Sequence, residues 1–263
     1  MHPYSVPQLV GRYLEHIVNT LSQREIHVSG QWEYIQRLKR MKRVQTGVAE
    51  SIAGVRNYWE NHAGTFEHVD FGRNGQVKTK KIADYYRQVS KSHRWAQCLH
   101  NLIRLHTPGS ILELGTALGV STTYLAHAAP PTSHIHTVEG SPELVALTRP
   151  ILNELHDNLH QHCGDISEIL PFVLKEMGRV DFAFIDANHH KEATIRYVEN
   201  IMEHASDEVV IVLDDIHWSK GMEEAWDTLA LRSEFNGALD LFRIGVLVRT
   251  KRWSQPISRL LIY

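Results

Sequence analysis

The chain has 263 residues, 43% hydrophobic and 22% charged, with a formal net charge of −2. This is ordinary globular composition, with enough length for a sizeable core. It excludes a membrane-spanning helix, because no apolar run approaches about 18 residues. It also excludes a disulfide framework or thiolate zinc site, because Cys98 and Cys163 lie far apart with no C-x-x-C. The start, MHPYSVPQLV, lacks the charged and apolar regions of a signal peptide, so a reducing cytoplasm is expected. Residues 1–108 carry 16 Lys+Arg against 8 Asp+Glu, and residues 109–263 carry 12 against 22. Such asymmetry suits either an anionic partner or mutual attraction of the two halves. The cations are diluted by Trp, Tyr and Leu, which favours the second. The 18 histidines are many, and most are expected to be scattered on the surface.

The first hundred residues read as helical. Val6, Val10, Tyr13, Leu14, Ile17 and Leu21 recur at helical spacing over 6–21. A second helix is expected within 31–60, with Leu38, Met41, Val44, Val48, Ile52, Val55 and Trp59 on one stripe. That stripe is read as a docking or homodimer face, since amphipathic helices bury their apolar side. Residues 71–77, FGRNGQV, hold Asn-Gly and predict a turn or loop. A third helix is expected over 79–106, ended by Thr107-Pro108-Gly109.

From residue 110 short apolar runs alternate with helical patterns. Strands are expected at 110–114, 134–138, 159–163, 180–185 and 208–213. Helices are expected at 119–129, 142–157, 166–177, 189–205 and 218–234. This alternation argues an α/β fold with a parallel sheet covered on both faces. Two further strand-like runs in 238–250, pivoting near Gly245, predict a closing antiparallel pair.

The first strand runs into ILELGTALGVSTTYLA, with Gly115, Thr116 and Gly119 in the strand-to-helix turn. Glycine there lets the backbone approach a ligand. The spacing is not the G-x-G-x-x-G of nicotinamide sites, and any tight turn can use two glycines. Acids then follow at successive strand ends: Glu139 before Gly140, Asp165 before Ile166, and Asp186, with Glu113 in the glycine loop itself. Glu139 can accept both hydroxyls of a ribose, while Asp165 and Ile166 can hold a purine. Each acid could instead be a helix N-cap. Together they suit a ligand that carries positive charge and no phosphates. The fifth strand, VVIVLDDIHW, ends in the adjacent carboxylates Asp214 and Asp215.

ILELGTALGVSTTYLA, HTVEGSPE, CGDISEILP, VDFAFIDANHH and VVIVLDDIHW, in this order, resemble the motifs of class I S-adenosylmethionine-dependent methyltransferases. The resemblance extends to the O-methyltransferases of the catechol O-methyltransferase-like group and their bacterial small-molecule relatives. It covers about residues 85–250 and has no counterpart in residues 1–80. It implies a Rossmann-like seven-stranded sheet with the last strand antiparallel. It also implies a helical N-terminal extension over 1–80 and a methyltransferase domain over 81–263. Gly115 and Gly119 would lie under the methionine part of S-adenosylmethionine, with Ser121 at its carboxylate. Glu139 would hold the ribose, and Asp165 with Ile166 the adenine.

In metal-dependent relatives an acid after the fourth strand and a pair after the fifth hold a divalent cation, and Asp186, Asp214 and Asp215 match. Three oxygen ligands suit Mg²⁺, which would lower the acceptor hydroxyl's pKa. The bland alternative is that Asp214 caps the next helix while Asp215 faces solvent or a basic neighbour. Adjacent strand residues meet one ion only if the chain turns there. His189 resembles the histidine base of some metal-dependent sugar methyltransferases. The alternative is a solvent-facing histidine at a helix start, and His190 and His217 follow as candidates. Tyr86, Lys91, Ser92 and His93 are candidates for cofactor or substrate contact.

The expected activity is therefore O-methylation of a small hydroxylated acceptor, with no membrane or nucleic-acid partner. Two rivals stand beside it. One is a nucleic-acid or protein methyltransferase using the basic half, against which the absence of an Asn-Pro-Pro-Tyr-like motif weighs. The other is a non-catalytic binding protein on the same fold.

Overall fold

The computed structural model describes residues 37–38, 40–41, 46–69, 77–90, 92–251 and 260–261. The helix expected over 6–21, the Asn-Gly turn at 74–75 and Lys91 lie outside the described residues. The described residues from 40 to 177 form one compact unit, and those from 178 onward form another.

The first unit opens with helix α1 (Thr46–Glu60). A two-stranded antiparallel sheet follows, β1 (Thr65–Val69) with β2 (Val77–Lys81). The sequence pattern for this hairpin is weak, because Lys78, Lys80 and Lys81 interrupt any apolar alternation. The single helix expected over 79–106 is two, α2 (Ile82–Val89) and α3 (His93–His106). The break falls where Ser90 and Ser92 take extended backbone angles, ψ 130° and 150°. Serine competes for backbone hydrogen bonds and favours helix ends over helix interiors. Thr107, at φ 46°, terminates α3 in the left-handed conformation, its N–H donating to Ile103 O.

Strands β3 (Ser110–Leu114), β4 (His134–Glu139) and β5 (Leu159–Cys163) run parallel in that order, with Ile111 opposite Ile135 and Ile135 opposite Leu159. Between and after them lie α4 (Val120–Ala128), α5 (Pro142–Leu152) and α6 (Ile166–Met177). Every residue of β3 is buried, as in a strand covered on both faces. Helix α5 starts where the sequence says it should: Ser141 Oγ accepts from Leu144 N, and Pro142 takes the first helical turn.

Helix α1 is docked within its own unit. Ile52 and Trp59 are almost wholly buried, in one cluster with Ile82, Tyr85, Tyr86, Leu118, Tyr124 and Leu144, and Val48 and Val55 pack against it. This part of the predicted apolar stripe is thus covered by its own chain. Arg56, on the same helix, donates to Tyr124 Oη and Tyr86 Oη at 3.3 and 3.4 Å.

Four histidines that composition suggested were scattered gather on β4 and β5. The rings of His136 and His162 stack 5.2 Å apart, and that of His160 lies 4.7 Å from His136. Burial, reinforced by the neighbouring imidazoles, pushes the pKa of His136 down to about 4.

In the second unit β6 (Val180–Ile185) pairs in parallel with β7 (Ala205–Asp214). β7 pairs antiparallel with β9 (Ile244–Arg249), which pairs antiparallel with β8 (Gly237–Asp240). The two-residue β10 (Leu260–Leu261) adds to β8. Helices α7 (Lys191–Glu203) and α8 (Lys220–Ala230) complete the unit. Strands β3 to β9 are the seven strands expected of the Rossmann-like methyltransferase fold, with β9 antiparallel to β7. β7 begins earlier than its apolar run predicts, because the Arg249 guanidinium holds Ala205 O and Ser206 O at 2.8 and 2.6 Å.

The chain does not pivot at Gly245. The turn is Leu241–Arg243, with Phe242 at φ 70° and its N–H on Asp240 Oδ1. Gly245 sits inside β9 opposite Leu213, where a Cβ would lie 2.4 Å from the wholly buried Trp226 ring. Gly245→Ala therefore overpacks a rigid indole, and urea denaturation should show a loss of roughly 1–3 kcal/mol. His136 supplies a pH dependence. Its folded pKa lies below the unfolded value of about 6.5, so the unfolded chain takes the proton first. Stability should fall as pH drops through about 6.5 and stop falling from this source near 4, and His136→Gln should flatten that interval in denaturation followed against pH.

Candidate active site

The β3–α4 turn is built from left-handed backbone. Gly115, Ala117 and Gly119 have φ of 98°, 46° and 70°. Gly119 is also closed in by Leu152, whose Cδ2 would lie 3.0 Å from an added Cβ. The N–H groups of Gly115 and Thr116 both donate to Val138 O, at 2.9 and 3.2 Å, and Thr116 Oγ1 meets Thr137 Oγ1 at 2.6 Å. The loop is thereby sewn to the end of β4.

Glu139 extends the seam. Its Oε2 accepts the Ala117 N–H at 2.8 Å and its Oε1 the Ser141 N–H at 2.9 Å. Burial raises its pKa, and the backbone donors, Ser141, Ala117 and Gly140, work against that rise. A carboxylate offers about four lone-pair sites, so acceptor capacity remains for a ligand.

The other acids of this unit have different surroundings. Glu113 is wholly buried, its Oε2 taking the hydroxyls of Thr122 and Thr137 at 2.5 and 2.7 Å. It braces the loop from beneath rather than lining a surface. Asp165 is exposed, and its Oδ1 accepts from Ser167 N at 2.8 Å at the head of α6, beside the half-buried Ile166. Ser121 is buried in the first turn of α4, where backbone N–H groups have no intrahelical acceptor. Tyr86 and His93 are tied inward. Tyr86 Oη takes Arg56, and His93 Nδ1 meets Tyr124 Oη at 2.7 Å. Ser92 is the N-cap position of α3, without a side-chain capping bond.

In the second unit, the loop after β6 carries two consecutive non-glycine residues at positive φ, Asn188 at 65° and His189 at 44°. Such backbone costs on the order of 1–3 kcal/mol per residue and clusters at functional sites. Asn188 Nδ2 donates to Tyr197 Oη at 2.8 Å. His189 Nε2 lies 3.8 Å from Asp186 Oδ1, and its ring is 6.4 Å from that of Trp218. His190 is the exposed N-cap position of α7. His217 is held from both sides, Nδ1 on Glu223 at 3.0 Å and Nε2 on the buried Asp240 at 3.0 Å, so both ring nitrogens are turned to carboxylates of this unit.

At the end of β7 the chain does turn, with Asp215 at φ 50°. Asp214 is buried and does not cap α8. That position belongs to Ser219, whose hydroxyl accepts from Met222 N. Asp215 meets a basic neighbour, Arg243, whose guanidinium lies 3.0 Å from Oδ1. Asp186, Asp214 and Asp215 are hard oxygen donors of the kind Mg²⁺ takes. Among the described residues, however, the group with ligand atoms within 4.8 Å of one another is His136, His162 and Glu176, not these three. With Arg243 on Asp215, the donor types fit a divalent ion while the arrangement is not closed around one.

Sequence reasoning missed Ala117, Arg243 and the histidine group. Arg243 was unreadable because its partner lies 28 positions away. The histidines did leave a signal, in the alternation of HIH in β4 and HQH in β5.

Residues 112–216 match the family model described as a methyltransferase domain. Among curated proteins the chain is 29% identical over 131 residues to a catechol O-methyltransferase of Niastella koreensis, covering 49% of this chain and 58% of that one. It is 32% identical over 108 residues to a catechol O-methyltransferase of Mycobacterium tuberculosis, covering 40% and 47%. The chain thus spans about half the length of these curated relatives. Among solved structures it is similar to an O-methyltransferase from Bacillus cereus in complex with SAH, at TM-score 0.58 and 19% identity over 81% of this chain and 96% of that one. It is similar too to an SAH-bound methyltransferase from Podospora anserina, at TM-score 0.59 and 18% identity over 86% and 97%. The chain is thus similar to a methyltransferase domain over residues 112–216, on a fold that it shares with solved methyltransferases.

Proposed function

We propose that the chain is an S-adenosylmethionine-dependent O-methyltransferase acting on a small hydroxylated molecule. The observation that carries this is Glu139, fixed by two backbone donors beside a left-handed glycine turn, with lone pairs left over. Those lone pairs take the ribose hydroxyls. Gly140 keeps the strand end beside them free of a side chain. The turn at Gly115, Thr116 and Gly119, with Ser121 beyond it, receives the methionine part, and Asp165 with Ile166 the adenine. Glu113 keeps the turn in shape.

When bound, S-adenosylmethionine supplies a methyl group already activated on a sulfonium. The residues then have two tasks, orientation and proton removal. His189 is the proposed base: Nε2 takes the acceptor's hydroxyl proton as the oxygen bonds to the methyl carbon and the carbon–sulfur bond breaks. Asp186 stabilises the resulting imidazolium. Mg²⁺ assistance belongs to the same proposal, held by Asp186, Asp214 and Asp215 and lowering the acceptor's pKa. What supports it is the donor type and the likeness to catechol O-methyltransferases. Arg243 is the group that has to release Asp215 for the ion to be held.

Hydrogen bonds to a charged group contribute about 1.5–3 kcal/mol each. Glu139→Ala should therefore weaken S-adenosylhomocysteine binding at least about tenfold in calorimetry, where unchanged affinity would remove Glu139 from the site. His189→Gln should lower kcat by about 10²–10⁴-fold with S-adenosylhomocysteine affinity kept. A chelator should lower wild-type turnover but have no further effect on the Asp214→Ala, Asp215→Ala double variant. Full wild-type turnover in chelator would discard the ion and leave proton removal to His189 with Asp186.

A further inference from the structure

Strands β4 and β5 each place histidine at alternate positions, 134 and 136 on one, 160 and 162 on the other. Alternate residues of a strand share a face, and the parallel register puts His136 opposite His160 and Val138 opposite His162. The rings of His136 and His162 are nearly parallel, 9° apart in plane. Their nitrogens converge: His136 Nδ1 and His162 Nε2 lie 2.9 Å apart. Two neutral imidazoles so placed must share one proton between two lone pairs. A metal ion can replace that proton and be bound by both nitrogens.

A carboxylate completes the set. Glu176, in the last turn of α6, brings an oxygen to the same point, so that one ligand atom from each of the three residues lies within 4.8 Å of the others. Ligand bonds of about 2.0–2.2 Å in a tetrahedron put donor atoms roughly 3.3–3.5 Å apart. The nitrogens need to separate by only a few tenths of an ångström, and the carboxylate oxygen, within 4.8 Å, to close in by at most about 1.5 Å. His136 is 4% exposed, which fixes one ligand rigidly in the unit, whereas Glu176 is exposed and free to adjust. Two imidazoles and one carboxylate favour a borderline ion over Mg²⁺ or Ca²⁺ and leave a fourth place for water.

We propose that His136, His162 and Glu176 form a binding site for a first-row transition ion of the zinc type, separate from the Asp186, Asp214 and Asp215 set. Bound there, the ion ties the half-exposed strand β5 to β4 and to the end of α6.

The test uses the full chain without a histidine tag, freed of metal, with Zn²⁺ titrated calorimetrically and Co²⁺ as the spectroscopic probe. One ion per chain is expected, with visible Co²⁺ bands of low coordination number and a thermal midpoint that rises with Zn²⁺. Glu176→Gln and His162→Gln should each weaken binding at least about tenfold, a loss of about 1.4 kcal/mol or more. Glu176 lies outside the core, so its variant decides the matter even if His162→Gln folds poorly. No stoichiometric binding, or wild-type affinity in both variants, overturns the site and leaves the histidines as a stacked sheet edge.

Discussion

Everything around the left-handed turn of the first unit hangs on one carboxylate held by peptide N–H groups. Glu139 ends β4, accepts from Ala117 in the β3–α4 turn and from Ser141 at the start of α5. A single side chain thus fixes two strand-to-helix connections relative to each other. The turn it holds contains three left-handed residues, one of them alanine. Left-handed backbone at a non-glycine position persists only where its surroundings over-determine it. Here the surroundings are Glu139, the two bonds to Val138 O and the packing of Gly119 on Leu152.

The second unit solves a different electrostatic problem. Two adjacent aspartates at the end of an apolar strand invite a cation. The turn at Asp215 sends its carboxylate to Arg243, while Asp214 stays in the core. Nearby, the imidazole of His217 bridges Glu223 and Asp240. Asp215 is thus paired with a guanidinium from the β8–β9 turn, and His217 with carboxylates from β8 and α8. In the loop of Asn188 and His189 the strained backbone is held by the Asn188 Nδ2 hydrogen bond to Tyr197 Oη and by the His189 N–H on Ala187 O.

Much of this was legible in the sequence, for local reasons. SILEL and VDFAFI are unbroken apolar runs and became β3 and β6 with the expected ends. Ser-Pro before ELVAL fixed the start of α5. Glycines at 115 and 119 marked the turn that uses them. What depended on distant partners was not legible. The β1–β2 hairpin carries lysines where alternation would be read. Gly245 looked like a pivot because glycine permits turns. Its actual reason is an indole lying against the strand, which no local pattern announces.

The burial of α1 also bears on where the motif-bearing portion of such a chain can be said to begin. By motif alone, everything before residue 81 is dispensable. Yet Ile52 and Trp59 share one buried cluster with Tyr85, Tyr86 and Tyr124. Shortening the polypeptide to the motif-bearing part would bare that aromatic surface to water, and contiguous apolar patches of this kind drive self-association. The smallest soluble unit is therefore set by a helix that touches none of the signature residues, and recombinant fragments should be delimited by packing rather than by homology.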